Sequence, residues 1–175
     1  MTDIQRPTAS QAWRNVQPFQ LTKSSTGKGY HLGADYNLGG GDDDKGRSVY
    51  PASAGVISSL QSNVCGWGNM IFIRHDTSFG TYTSMYAHVN WLDNGPPLVN
   101  TPVDPTVEIA LVGNGAWTKT STCKTSDFYP YHLHFEIREG VNTNAGDGYT
   151  KKQVTKGPQG QIDPNDFIRN HQSLP

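Results

Sequence analysis

From residue 47 to residue 113 the chain is a succession of short runs, RSVYPA, GVISSLQ, NMIFIRH, TYTSMYAH and VEIALVG, each cut off by Gly, Asn, Asp or Pro. Branched and aromatic side chains fit a pleated surface and the punctuating residues break helices, so the pattern predicts strands joined by turns in an antiparallel meander. A hydrophobic fraction of 34% with 19 Gly and 11 Pro agrees with that reading. At 175 residues the chain suits one domain. The expected fold class is all-β, a compact antiparallel sheet structure with long loops and little helix.

Along the chain, residues 1–26 show scattered apolar side chains (Trp13, Val16, Phe19, Leu21) and are expected as a lead-in packed on the domain. Residues 27–140 form the core, and 141–175 a C-terminal extension of the same domain. There IDPNDFIRN offers one short helical turn or helix that packs Ile162, Phe167 and Ile168 on the sheet. In TYTSMYAH the alternation places Tyr82, Ser84, Tyr86 and His88 on one face and Thr81, Thr83, Met85 and Ala87 on the other. In HLHFEIRE it places His132, His134 and Glu136 together. The segment GGGDDDKG at 39–46 invites calcium, since carboxylates suit hard cations, but its spacing fits no standard loop and a solvated acidic turn is expected.

A net charge of -1 without any run of Lys or Arg lacks the footprint of a nucleic-acid binder. No apolar stretch approaches the roughly 20 residues of a membrane span, so no membrane partner is expected. MTDIQRPTAS has no apolar core of a secretory signal. The expectation is a soluble monomer that either begins at a mature N-terminus or leaves its cell by another route. Cys65 and Cys123 make one disulfide possible, which belongs to an oxidising compartment; the alternative is two unpaired thiols in loop sequence.

Chemistry concentrates in two words. In GYHLGADYN, His31 and Asp35 stand four apart around Gly33, close enough to present both to one ion. In YHLHFEI, His132 and His134 share a strand face with roots roughly 7 Å apart, so one is placed to bind metal while its neighbour handles a proton. Imidazole and carboxylate are good zinc ligands, and a catalytic zinc takes three of them and keeps one position open. Each word alone is weak, because paired histidines also occur as hydrogen-bonded groups on polar sheet faces; the combination carries the argument.

The order His-x-x-x-Asp, then Tyr-Ala-His, then His-x-His resembles the lysostaphin-type and LasA-type metallopeptidases, the LytM-domain proteins. VYPASAGVI, GWGNMIFIRHD and SMYAHVNWL resemble further stretches of that family, and HLHFEIRE matches its His-Leu-His-Phe-Glu strand nearly letter for letter. The resemblance covers about residues 29–138 and departs from the pattern in the acidic insert 40–46, the long loop 114–131 and the lead-in.

The resemblance implies a sandwich of the duplicated-hybrid-motif type and a zinc-dependent endopeptidase acting on peptides of bacterial peptidoglycan outside the cytoplasm, extracellular or periplasmic. It implies one zinc held by His31, Asp35 and His134. His88 and His132 become uncoordinated catalytic imidazoles that assist attack by water at the zinc, with His132 the first choice of base. Family members often place a tyrosine just before the first ligand; Tyr30 is adjacent to His31, so that role is not carried over. Glu136 is expected as a partner of a ligand histidine or as a sheet-surface residue. His75 and His171 are expected to be structural, while Trp67, Trp91, Trp117 and Tyr129 either wall a groove or cap the core. Relatives that lost ligands serve as scaffolds, but all five positions stand here. A D-alanine-releasing carboxypeptidase would need a Glu-x-x-His-like segment that is not seen.

Overall fold

The computed structural model describes residue 7 and residues 13–20, 29–114 and 130–171. Its strands are β1 (Arg14–Gln17), β2 (Tyr30–His31), β3 (Ala34–Asn37), β4 (Ser48–Val49), β5 (Gly55–Val64), β6 (Gly68–Thr77) and β7 (Gly80–Asn90). They continue with β8 (Pro102–Val103), β9 (Ala110–Val112), β10 (Leu133–Glu139), β11 (Tyr149–Thr150) and β12 (Gln161–Ile162), and the chain closes on helix α1 (Pro164–His171). The main sheet runs β1-β3-β10-β7-β6-β5-β8, with β12 beside β10 and β9 bridging β4 and β7. All its pairings are antiparallel, and β11 and β2 make a separate two-stranded ribbon. The meander expected between residues 47 and 113 is the succession β5, β6, β7. No helix among the described residues is long and apolar enough to cross a membrane.

The central strand β6 explains its own sequence. Ile71 and Ile73 enter the larger core with Ile57, Tyr86, Phe135 and Ile137. Met70 and Phe72 face the other way, into a smaller cluster with Trp67, Met85 and Ala87. A strand covered on both faces reads as an uninterrupted apolar run, which is what Met70–Ile73 shows. In α1, Pro164 takes the first turn, and Asp163 caps it by accepting from the Asn165 N–H at 2.9 Å and the Asp166 N–H at 3.3 Å. Phe167 and Ile168 are buried as expected.

The described part of the lead-in supplies an edge strand: β1 pairs with β3 through Asn15↔Tyr36, and Trp13 and Gln17 are buried while Val16 points out. Two local expectations need correction. The acidic turn is not wholly solvated, because Asp44 is buried and its Oδ1 accepts the Leu38 N–H at 2.7 Å, pinning the turn; Asp42 and Asp43 remain exposed. The second concerns His88. Its φ is +60° and the β6–β7 register slips between Asn69↔Val89 and Met70↔Ala87. This bulge breaks the alternation and brings the His88 ring against Trp67, on the side of Met85 and Ala87 rather than that of Tyr86.

His75 is structural, as expected. Its Nδ1–H donates to the Ala54 carbonyl at 2.9 Å, so Nε2 accepts from the Ser84 hydroxyl at 2.7 Å, and Ser84 meets Tyr86 at 3.1 Å. Burial holds its pKa below the ordinary 6.5. A folded pKa below the unfolded one means that the neutral ring's contribution is complete above about pH 6.5 and is lost as pH falls from there toward the folded value. Unfolding in denaturant is therefore expected to show stability falling with acid below pH 6.5. The slope should be shallower in His75→Gln by up to one proton, about 1.4 kcal/mol per pH unit; identical slopes in the two proteins would contradict the account.

Candidate active site

β3 and β10 lie side by side with His134 opposite Asp35 in register. Cross-strand partners have Cβ atoms about 5 Å apart, so the two side chains converge on the same face. The two-residue strand β2 delivers His31 to the same point. His134 Nδ1 stands 2.9 Å from Asp35 Oδ1 and 3.1 Å from His31 Nε2, and His31 Nε2 stands 3.4 Å from Asp35 Oδ1. All three residues are buried, and among the described residues they are the one group of His, Cys, Asp and Glu whose donor atoms converge this way.

Gly33 makes the convergence possible. A Cβ there would lie 2.7 Å from Cε1 and Nε2 of His134 and 2.7 Å from the Phe135 carbonyl oxygen, so the chain between the first two residues passes against the third only without a side chain.

Two imidazole nitrogens and a carboxylate oxygen aimed at one another bring lone pairs together, an arrangement that calls for a cation between them. Burial favours a neutral His134, yet hydrogen bonds and charge from Asp35 and Glu136 push its pKa up to about 9. Burial likewise opposes the Asp35 carboxylate, but His31, His134 and His132 hold its pKa well below the ordinary range. Two nitrogens and one oxygen at these positions fit a three-ligand zinc site.

Two further imidazoles border this centre. The His132 ring lies 4.6 Å from that of His88, and its Nε2 is 3.8 Å from Asp35 Oδ1. His132 Nδ1–H donates to the Pro130 carbonyl at 2.7 Å and His88 Nδ1–H to the Trp67 carbonyl at 3.1 Å, so in each neutral ring Nε2 is the proton-accepting nitrogen. Burial lowers both pKa values, and His88 falls furthest with His132 and His134 close by. The Trp67 indole stacks on His88 at 6.0 Å and meets His134 edge-on at 5.0 Å.

These groups line a groove of about 650 Å³, within the usual range for ligand sites. Trp67 walls it, as one reading of the sequence had it, whereas Trp91 packs against the larger core. Trp117 and Tyr129 lie outside the described residues, as does Cys123 and with it the Cys65–Cys123 pairing; Cys65 itself sits at the groove. Gln17 and Tyr149 also line the groove, the Gln17 amide donating to the Tyr149 hydroxyl at 3.1 Å. Neither carries a sequence signal, because β1 and β11 are brought in by pairing alone. Arg138 does carry a signal in the sequence, since it continues the row His134, Glu136 at the strand period of two.

A family model, Peptidase family M23, matches residues 29–148. Three solved structures are similar in fold. LytU is 22% identical with a TM-score of 0.58, over 89% of this chain and 83% of that one. Csd3 of Helicobacter pylori is 20% identical with a TM-score of 0.57, over 99% of this chain and 35% of that one. The catalytic domain of the antimicrobial peptidase lysostaphin from Staphylococcus simulans is 20% identical with a TM-score of 0.54, over 89% of this chain and 90% of that one. No curated protein matches in sequence.

Because an added methyl at Gly33 meets both the His134 ring and a backbone oxygen, Gly33→Ala is expected to cost about 1–3 kcal/mol in an equilibrium denaturation experiment. Unchanged stability would mean that the chain passes His134 with room to spare.

Proposed function

The chain belongs to peptidase family M23, and from that premise we propose that it is a zinc-dependent endopeptidase cutting stem or cross-bridge peptides of bacterial peptidoglycan outside the cytoplasm. The observation that carries the reading is the convergence of His31 Nε2, His134 Nδ1 and Asp35 Oδ1 on one point, flanked by two further imidazoles at the wall of a groove. In this reading those three residues hold the metal. When bound, zinc polarises the scissile carbonyl and makes water a nucleophile at neutral pH.

The protein's own residues then manage protons. His132, neutral at pH 7 and accepting at Nε2, takes one proton from the attacking water as the new C–O bond forms. The C–N bond breaks as that proton passes to the leaving nitrogen, giving an amine and a carboxylic acid that ionises to the medium. His88 stands beside His132 with its Nδ1–H fixed by the Trp67 carbonyl and shares in this transfer: once its Nε2 has taken up a proton, it donates to the oxyanion or the leaving amine. The Trp67 carbonyl also accepts the His88 backbone N–H at 3.0 Å, so one oxygen fixes both the bulge and the ring.

Metal holding and proton handling therefore separate by residue. His31→Ala, Asp35→Ala and His134→Ala are expected to lose zinc along with activity. His88→Ala and His132→Ala should keep zinc and lose roughly 10²–10⁴-fold in turnover. Zinc stoichiometry and release of new amino termini from purified peptidoglycan measure the two properties independently. Full zinc in the first group, or its loss from the second, would reverse the assignment.

A further inference from the structure

Strand β10 continues the site inward. Its period of two places His134, Glu136 and Arg138 in one row, and Glu136 and Arg138 are both fully buried. A carboxylate and a guanidinium taken out of water must find partners for their polar atoms, and here they find them in a single line. Glu136 Oε2 accepts from Arg138 Nε at 2.8 Å and Nη2 at 2.7 Å, while Oε1 accepts from His134 Nε2 at 3.0 Å. The guanidinium also donates to the carbonyls of Asn144 and, at 3.2 Å, Ala145, and it lies over the Phe72 ring. Those carbonyls lead directly into Gly146, Asp147, Gly148 and Tyr149, which line the groove.

The chemistry of this row has one consistent arrangement. Arg138 is always charged and offers only donors, so Glu136 is held as a carboxylate with Oε2 committed. Its Oε1 then requires a donor, and the atom facing it is His134 Nε2. Among the described residues His31 has no such support, since none of them gives its buried Nδ1 a hydrogen bond.

Resting on the zinc-peptidase reading, we infer that Glu136 and Arg138 are positioning residues: Glu136 keeps the His134 proton on Nε2 so that Nδ1 meets the metal as a lone pair, and Arg138 locks Glu136 to the segment that becomes the groove wall. The first metal ligand thus relies on its backbone placement, whereas the third is aimed by a carboxylate that the wall itself helps to hold. The substitution Glu136→Gln tests this at almost unchanged volume. The amide oxygen goes to the two Arg138 donors, which leaves the NH₂ facing His134 Nε2; that nitrogen must accept, and the proton moves to Nδ1, on the metal side.

Two measurements decide the matter. Competition with a chromophoric chelator gives the zinc dissociation constant of wild type and of Glu136→Gln, and long-range ¹H–¹⁵N imidazole spectra of the zinc-loaded wild type give the tautomer of His134. The expected results are zinc binding about 10–100-fold weaker in the variant and a wild-type His134 protonated at Nε2. A folded Glu136→Gln with wild-type affinity, or a wild-type His134 protonated at Nδ1, overturns the inference. Should Glu136→Gln fail to fold, the wild-type spectrum alone decides. A wild type that takes up no zinc overturns the peptidase reading and this inference with it, an outcome distinct from either of the others.

Discussion

The register between β3 and β10 is the constraint on which the rest depends. With His134 opposite Asp35, the two side chains share one face of the sheet, and a slip of one residue would carry the whole row of β10 to the opposite face. That slip is expensive in both directions: Leu133, Phe135 and Ile137 would leave the larger core, and His134, Glu136 and Arg138 would enter it. The apolar face thus enforces the geometry of the polar one. The positions of His134 and Asp35 are therefore set by the packing of the opposite face.

That economy explains how much was legible. Short strands, the meander, the small C-terminal helix and the five candidate residues that the structure brings together follow from local patterns: alternation, turn residues, and histidines and a carboxylate at ligand spacing. What escaped was set by pairing at a distance. β1 reaches Asp35's strand from a lead-in with no periodicity of its own, and Tyr149 comes beside His31 through a two-residue ribbon. The Asp44 carboxylate looked like part of a charge run, yet its Oδ1 closes the turn that carries it. His88 is the instructive error. Alternation assigned it to the Tyr86 face, and a single left-handed residue moved it to the site; a bulge is invisible to any rule that counts by twos.

Charge organises the centre as firmly as packing does. Around the convergent lone pairs the chain sets two carboxylates, Asp35 and Glu136, so the buried cluster favours a positive charge at its middle. The bordering imidazoles behave oppositely, because burial and the neighbouring rings keep His88 and His132 neutral. The convergent cluster and the two bordering imidazoles thus sit in opposite electrostatic settings within a few ångströms. Trp67 stands at the junction, its ring against His88 and His134 and its indole N–H donating to the Gly146 carbonyl of the facing wall at 3.1 Å.

The central claim is that a cation at this point is held by His31, Asp35 and His134 while His88 and His132 stay outside its coordination. X-ray absorption at the zinc edge of the zinc-loaded protein tests it most directly, since multiple scattering counts coordinated imidazoles. The account predicts two imidazoles with the remaining donors oxygen; three or four imidazoles on the metal would contradict it.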